Sequence, residues 1–350
     1  MNTKDTHNKS PRKWLKMGLF MLLGIIVLIV VLLVLGYIIQ VQTSKNFATN
    51  FPAPGQLVNV DGHKMHIYCT GVVQPDAPTI ILDAGNGRSS LDWSLVQPEL
   101  SKTTRVCSFD RSGYGWSEPA TTPRTGKNIV DEEKQMLEVA GITGPYILVG
   151  HSGGGMYARI FAKYYPQDVA GLVLVDSAAV SADTFKPLED LENAQWQQYY
   201  VMKTLATFNI LPILGKIGGD KVIPDFVQKL PEEYHEPYLA SIARPAYFNV
   251  MKAEGDELST KDDEVWQELN SITNLGNIPI VVLSAQATFA ETAGPTAKEV
   301  DEYLAKTQKD LLKLSTNSKQ VIAEKSNHDI HLDQPELVIQ VVQDVMSQVE

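Results

Sequence analysis

The sequence has little cysteine: Cys69 and Cys107 are the only two in 350 residues. Two thiols cannot supply a disulfide framework, so their simplest reading is as small buried apolar side chains. A basic stripe interleaved with aromatics is also missing from the body of the chain, which argues against nucleic acid as a partner. Internal repeats and low-complexity segments are absent, which excludes solenoids and biased tracts. The run DRSGYGWS at 110–117 lacks the lysine of a Walker loop and the third glycine of a dinucleotide fingerprint. It reads as a structural loop fixed by the charges of Asp110 and Arg111.

What is present describes a folded protein, with 44% hydrophobic and 20% charged residues. The net charge of −11 is uneven, because the first sixteen residues hold Lys4, Lys9, Arg12, Lys13 and Lys16 against Asp5 alone. That leader is basic and the remainder is acidic. From Met17 to Ile39 no charge interrupts an apolar run long enough, at about 1.5 Å per residue, to cross a hydrocarbon core of roughly 30 Å. Basic residues on its N-terminal flank keep the tail, 1–16, in the cytoplasm and put the rest outside. A cleaved signal peptide is the alternative reading. Its apolar region would be shorter, and no A-x-A site lies between Tyr37 and Lys45. No cysteine follows closely enough for a lipoprotein anchor.

Residues 40–54 are polar and proline-flanked and read as a linker, with a folded domain over 55–350. Gln56–Val60 and Lys64–Cys69 form an expected hairpin about Asp61-Gly62. From Thr79 onward the short apolar runs TIILDA, RVCSFD, YILVGH, GLVLVD, IPIVVLSA and KQVIAE read as buried strands. Helical stretches separate most of them, at Lys127–Ala140, Met156–Tyr165, Lys298–Leu314 and Pro335–Gln348. This predicts a mostly parallel, eight-stranded, doubly wound α/β sheet. Between Ser177 and Asn277 no buried strand occurs, yet aromatics are frequent, including Tyr199, Phe208, Tyr247 and Phe248. A structureless loop of that length is improbable, so about 178–276 is expected to be a helical lid inserted after the sixth strand.

Ser152 lies in Gly150-His151-Ser152-Gly153-Gly154, between a strand and a helix. A serine on so sharp a turn brings its neighbours two residues either side into close approach, which small residues tolerate. Such a serine is a nucleophile only when a base removes its proton. Of seven histidines, His7 lies in the tail, His63 and His66 in the hairpin, His151 on the turn and His235 in the lid. His328 and His331 remain, and His328, just past the last strand, is the expected base. His331 reads as an exposed loop histidine. The two do not form a recognised metal site, and no cofactor or metal is implied. Two carboxylates compete to orient the base. Asp176 ends the strand after the helix that Ser152 opens, and Glu291 lies within SAQATFAETAG; position favours Asp176. Backbone N–H groups of Gly153 and of Asn86, in the glycine-rich turn after TIILDA, are the expected oxyanion donors.

Asn86 with its glycines, the run SFDRSGYGWS, GHSGG and the terminal SNHDIHLDQPELV together resemble the α/β-hydrolase superfamily, especially its bacterial branch of lidded esterase-like hydrolases. The resemblance runs from about Gly55 to the end. Where many members have His-Gly before the oxyanion residue this chain has Ala84-Gly85, and the acid usual after the seventh strand is missing. Related dehalogenases and epoxide hydrolases use an Asp nucleophile, which Ser152 argues against. The family's strand order places the second strand beside the fourth, which implies a Cys69–Cys107 disulfide if the domain lies outside the cell. The implied activity is cleavage of a small or medium acyl ester, or an amide, through an acyl-enzyme. The alternatives are acyl transfer to an alcohol on the same residues, or an inactive surface binding module. The expected partners are an acyl substrate and the membrane; oligomeric state is not legible.

Overall fold

The computed structural model describes residues 11–74, 77–178, 185, 198–219, 223–257, 263–288 and 295–349. Its centre is one eight-stranded sheet in the order β1-β2-β4-β3-β5-β6-β7-β8. The strands are β1 (Gln56–Val60), β2 (His63–Thr70), β3 (Thr79–Asp83), β4 (Val106–Asp110), β5 (Tyr146–His151), β6 (Val169–Val175), β7 (Ile280–Ala285) and β8 (Ser318–Ala323). The β1–β2 and β2–β4 pairs are antiparallel, and all the other pairs are parallel. Asp61 and Gly62 take the positive φ that the first hairpin requires, at 46° and 87°.

The central strands are apolar throughout because both faces of the sheet are covered. On β5, Tyr146 and Leu148 enter one core while Ile147 and Val149 enter the other; on β6, Leu172 and Leu174 oppose Val173 and Val175 in the same way. One face is covered by α4 (Gly126–Val139) and α5 (Gly153–Tyr164). The opposite face takes α3 (Gln97–Leu100) and α14 (Pro335–Met346), whose Leu100, Val338, Val341, Val342 and Val345 are buried there. Between β7 and β8 runs α12 (Pro295–Asp310), and α13 (Ile330–Asp333) precedes the last helix.

The interval after β6 is helical where it is described. It contains α6 (198–207), α7 (Ile210–Gly218), α8 (Asp225–Gln228), α9 (Glu232–Ile242), α10 (Pro245–Asp256) and α11 (Glu264–Ser271). Tyr238 and Phe248 are buried in it, while Trp196 lies outside the described residues.

The N-terminal region departs from the expected division. Instead of a helix over 17–39 and a polar linker over 40–54, α1 runs from Pro11 to Lys45, and α2 (Phe47–Asn50) follows after one residue. Tertiary contacts explain the difference. The Gln40 amide donates to the Ala243 carbonyl at 3.1 Å, and Phe47 packs against Trp116 with the Arg244 guanidinium 4.4 Å from its ring centroid. The polar residues after Ile39 dock on the domain instead of spanning a gap. Among the described residues one helix, which includes the apolar run, is long and apolar enough to cross a membrane.

Cys69 and Cys107 are register partners across β2 and β4 and form a disulfide. The bond closes a sequence separation of 38 residues. Replacing both cysteines with alanine is therefore expected to lower unfolding free energy by about 2–4 kcal/mol. Denaturant unfolding of the double variant measures it; unchanged stability would contradict a structural role for the bond.

Candidate active site

Residue 152 joins β5 to α5 at φ 51° and ψ −116°, a conformation that side chains rarely adopt. The Ser152 N–H donates to the Val175 carbonyl at 3.0 Å, while its own carbonyl accepts from Gly155 and Ala178 at 3.2 Å each. The space around the turn fixes its glycines. A Cβ on Gly150 would strike the backbone of Gly154 and Gly155, and one on Gly154 would strike the carbonyl oxygens of Asp83 and Ala84. The predicted requirement for residues without side chains two before and two after the serine is thus met by backbone-to-backbone contact.

Asp176 follows β6 directly and has φ 39°. Its Oδ1 accepts from the Ala285 N–H at 3.0 Å, and Oδ2 accepts from the Thr288 hydroxyl at 3.0 Å and from His328 Nδ1 at 2.7 Å. Because an ionised carboxylate only accepts, the His328 proton sits on Nδ1 and Nε2 is left as the basic nitrogen. Burial pulls the His328 imidazole down, but the hydrogen bond and charge of Asp176 outweigh it, so its pKa lies above the ordinary 6.5. The competing carboxylate, Glu291, lies outside the described residues.

His328 is held against the serine turn by its own backbone, whose carbonyl accepts from His151 Nε2 at 3.0 Å. The rings of His328 and His331 stand 4.6 and 4.3 Å from His151. His331 is not the expected exposed loop residue. It is fully buried against Trp93, with Nε2 3.7 Å from Asp92. The short helix α13 turns it inward, a placement that spacing from the last strand could not reveal. Burial, then the neighbouring His331 and His328, hold His151 well below the ordinary histidine range, so it is neutral. His151, Asp329 and His331 each bring one possible ligand atom within 4.8 Å of the others. Arg88, bonded to Asp329 at 2.7 Å, already places a positive charge on that cluster.

The turn after β3 completes the site. A Cβ on Gly153 would come 3.3 Å from the Asn86 nitrogen, so the two expected oxyanion donors lie side by side at the opening of α5. The residue that holds this turn was not singled out for that purpose in the sequence. Arg111 donates to the Ala84 and Gly85 carbonyls at 2.6 and 3.0 Å, and pairs with Asp83 and Glu254. Those two bonds engage the carbonyls that precede Asn86 and so fix the turn from one side. Tyr114 adds a hydrogen bond to the Asn86 side chain at 2.8 Å and another to Glu254 at 3.1 Å. Asp110 serves the rim, as its position suggested: it accepts from His66, Ser90 N–H and Trp116 N–H at 2.7–2.9 Å. The signal for Arg111 was its place after a buried strand, but its partners are 26–28 and 143 residues away.

A family model described as alpha/beta hydrolase fold matches residues 78–335. The chain is 33% identical over 156 residues to an uncharacterized protein of Schizosaccharomyces pombe; the match spans 37% of this chain and only 29% of that protein. It is 24% identical over 334 residues to a mouse (lyso)-N-acylphosphatidylethanolamine lipase, spanning 89% of this chain and 90% of the lipase. A putative lipase of Acinetobacter baumannii shares the fold with a TM-score of 0.62 at 19% identity, over 90% of this chain and 96% of that one.

Arg111→Met would leave Asp83 buried without its cation and Glu254 with only Arg124, 3.8 Å away. This substitution is expected to destabilise the domain by about 3–5 kcal/mol, the usual cost of removing one partner of a buried ion pair. Thermal or denaturant unfolding measures the loss; a change below about 1 kcal/mol would show that the pair is dispensable.

Proposed function

Since this chain belongs to the alpha/beta hydrolase family, we propose that it is a serine hydrolase that cleaves acyl esters through an acyl-enzyme. The observation that carries this reading is the hydrogen bond from His328 Nδ1 to Asp176 beside a serine held at positive φ. In the first half-reaction Ser152 Oγ attacks the acyl carbonyl carbon while His328 Nε2 takes its proton. The N–H groups of Asn86 and Gly153 hold the negative oxygen of the tetrahedral intermediate. As the carbon–oxygen bond breaks, the imidazolium returns its proton to the departing alcohol, leaving an ester on Ser152. Water then attacks that ester by the same route, giving the free acid and regenerating the serine. Asp176 fixes the imidazole tautomer and stabilises its cationic form throughout.

The same proposal places the domain on the outer side of a membrane, with α1 as an uncleaved anchor and the basic tail inside. The Lys13 and Lys16 flank and the Cys69–Cys107 bond both suit that orientation.

A fluorophosphonate probe is expected to label the protein and to fail on Ser152→Ala; an unlabelled native protein would refute the nucleophile. Because His328 must be neutral to accept a proton and its pKa is raised, kcat/KM should fall as pH drops through a value above 6.5. Asp176→Asn should lower kcat by roughly 10³–10⁴-fold and move that acid limb downward. If Glu291→Gln has this effect and Asp176→Asn does not, Glu291 is the acid.

A further inference from the structure

The outer end of α1 is not a free stalk. At Gly36 the helix backbone is pressed on the lid so closely that a Cβ there would fall on the Phe208 carbonyl oxygen. Gly36 lies about 30 Å along the helix from Lys16, the last charge before the apolar run. If Lys16 marks the inner edge of the hydrocarbon, Phe208 stands at its outer edge. Tyr37, half exposed beside it, has the amphipathic ring favoured at that level.

The lid residues on either side of Phe208 present apolar surface. On α7, Ile213, Leu214 and Ile217 are 48%, 43% and 80% exposed, and their spacing of three and four residues puts them on one stripe. Lys216 is the only charge in that helix, and no residue of it is buried. On α6, Tyr200, Val201 and Met202 are also exposed. These two helices are tied to the site. Leu211 packs with Tyr199 and Phe248, and the adjoining Tyr247 donates to the Gly87 carbonyl at 3.1 Å, one residue beyond Asn86.

We propose that α7 and the start of α6 lie in the outer interface of the bilayer that α1 crosses, and that the site takes its acyl ester from a lipid resident in that leaflet. The inference rests on the anchored, outward-facing reading above and adds the substrate class. The apolar stripe enters the acyl region while Lys216 stays at headgroup level. Its continuity with the spanning helix at Gly36 is what selects lipid as the occupant. A lipid shifted upward beside α1 then meets the lid elements that contact the oxyanion turn, without passing through water.

The full chain, reconstituted in phosphatidylcholine–phosphatidylglycerol vesicles, tests this with a spin label at Ile217→Cys, the native cysteines being paired. Collisions with oxygen should exceed those with a water-soluble nickel chelate at 217, and the reverse should hold for Ile322→Cys on β8. Nickel access at 217, or shielding from both reagents by a second copy of the chain, overturns the docking. In the same vesicles, the combined Ile213→Glu, Leu214→Glu and Ile217→Glu variant should lose roughly tenfold or more of its rate on a long-chain acylglycerol, because the three exposed apolar side chains that would enter the acyl region are lost. It should keep its rate on a water-soluble butyrate ester. Equal loss on both esters, or no loss on either, overturns lipid delivery. A native protein that turns over no ester while its label at 217 lies in lipid would refute the hydrolase reading and leave the docking intact.

Discussion

The tight crossing of β5 into α5 is the constraint on which the rest of the site depends. Its backbone passes so close to the β3 turn that Gly154 has no room for a side chain against Asp83 and Ala84. The same crossing brings Gly153 against the turn that carries Asn86, and the positive φ of Ser152 is the conformational cost. The strain is held by hydrogen bonds to both sides: Ser152 is bonded through its backbone to Val175, Gly155 and Ala178. The neighbouring strand β6, fixed in register to β5, then delivers Asp176 to the same edge of the sheet.

A second layer of buried charge keeps these pieces in place. Arg111 joins β3, the turn that follows it and Glu254 of α10, while Arg88 joins Asp92 to Asp329 beside His328. Each guanidinium thus ties a loop of the site to an element distant in sequence. The planar fork suits this use, since it can bond carboxylates and backbone carbonyls at once. Burial and the neighbouring His331 and His328 leave His151 neutral, while Asp176 raises His328. His151 and His328 therefore differ in basicity because His328 touches a carboxylate at hydrogen-bond distance.

The lid connects this polar centre to the long N-terminal helix. Phe208 meets Gly36, and Gln40 bonds Ala243, so α1 is part of the domain's surface and not a tether beyond it. Docking in that way holds the helix in a set orientation against the domain. It also explains why a segment that reads as a polar linker is helical: its polar side chains find protein partners.

The sequence by itself determined the strands, the doubly wound sheet, the lid interval and the serine turn, because buried parallel strands and strained glycine turns leave local patterns in composition. It also supplied His328 and the pair Asp176 and Glu291 as candidates, and, through family resemblance, the Cys69–Cys107 pairing. Only the tertiary structure decided that Asp176 reaches His328, that His331 is buried, that Arg111 holds the turn after β3 and that residues 40–50 dock as helix. These are contacts between residues far apart in the chain, and their energy depends on which surfaces the fold brings together. Periodicity records whether a residue faces the core; it carries no information about which distant partner meets it there.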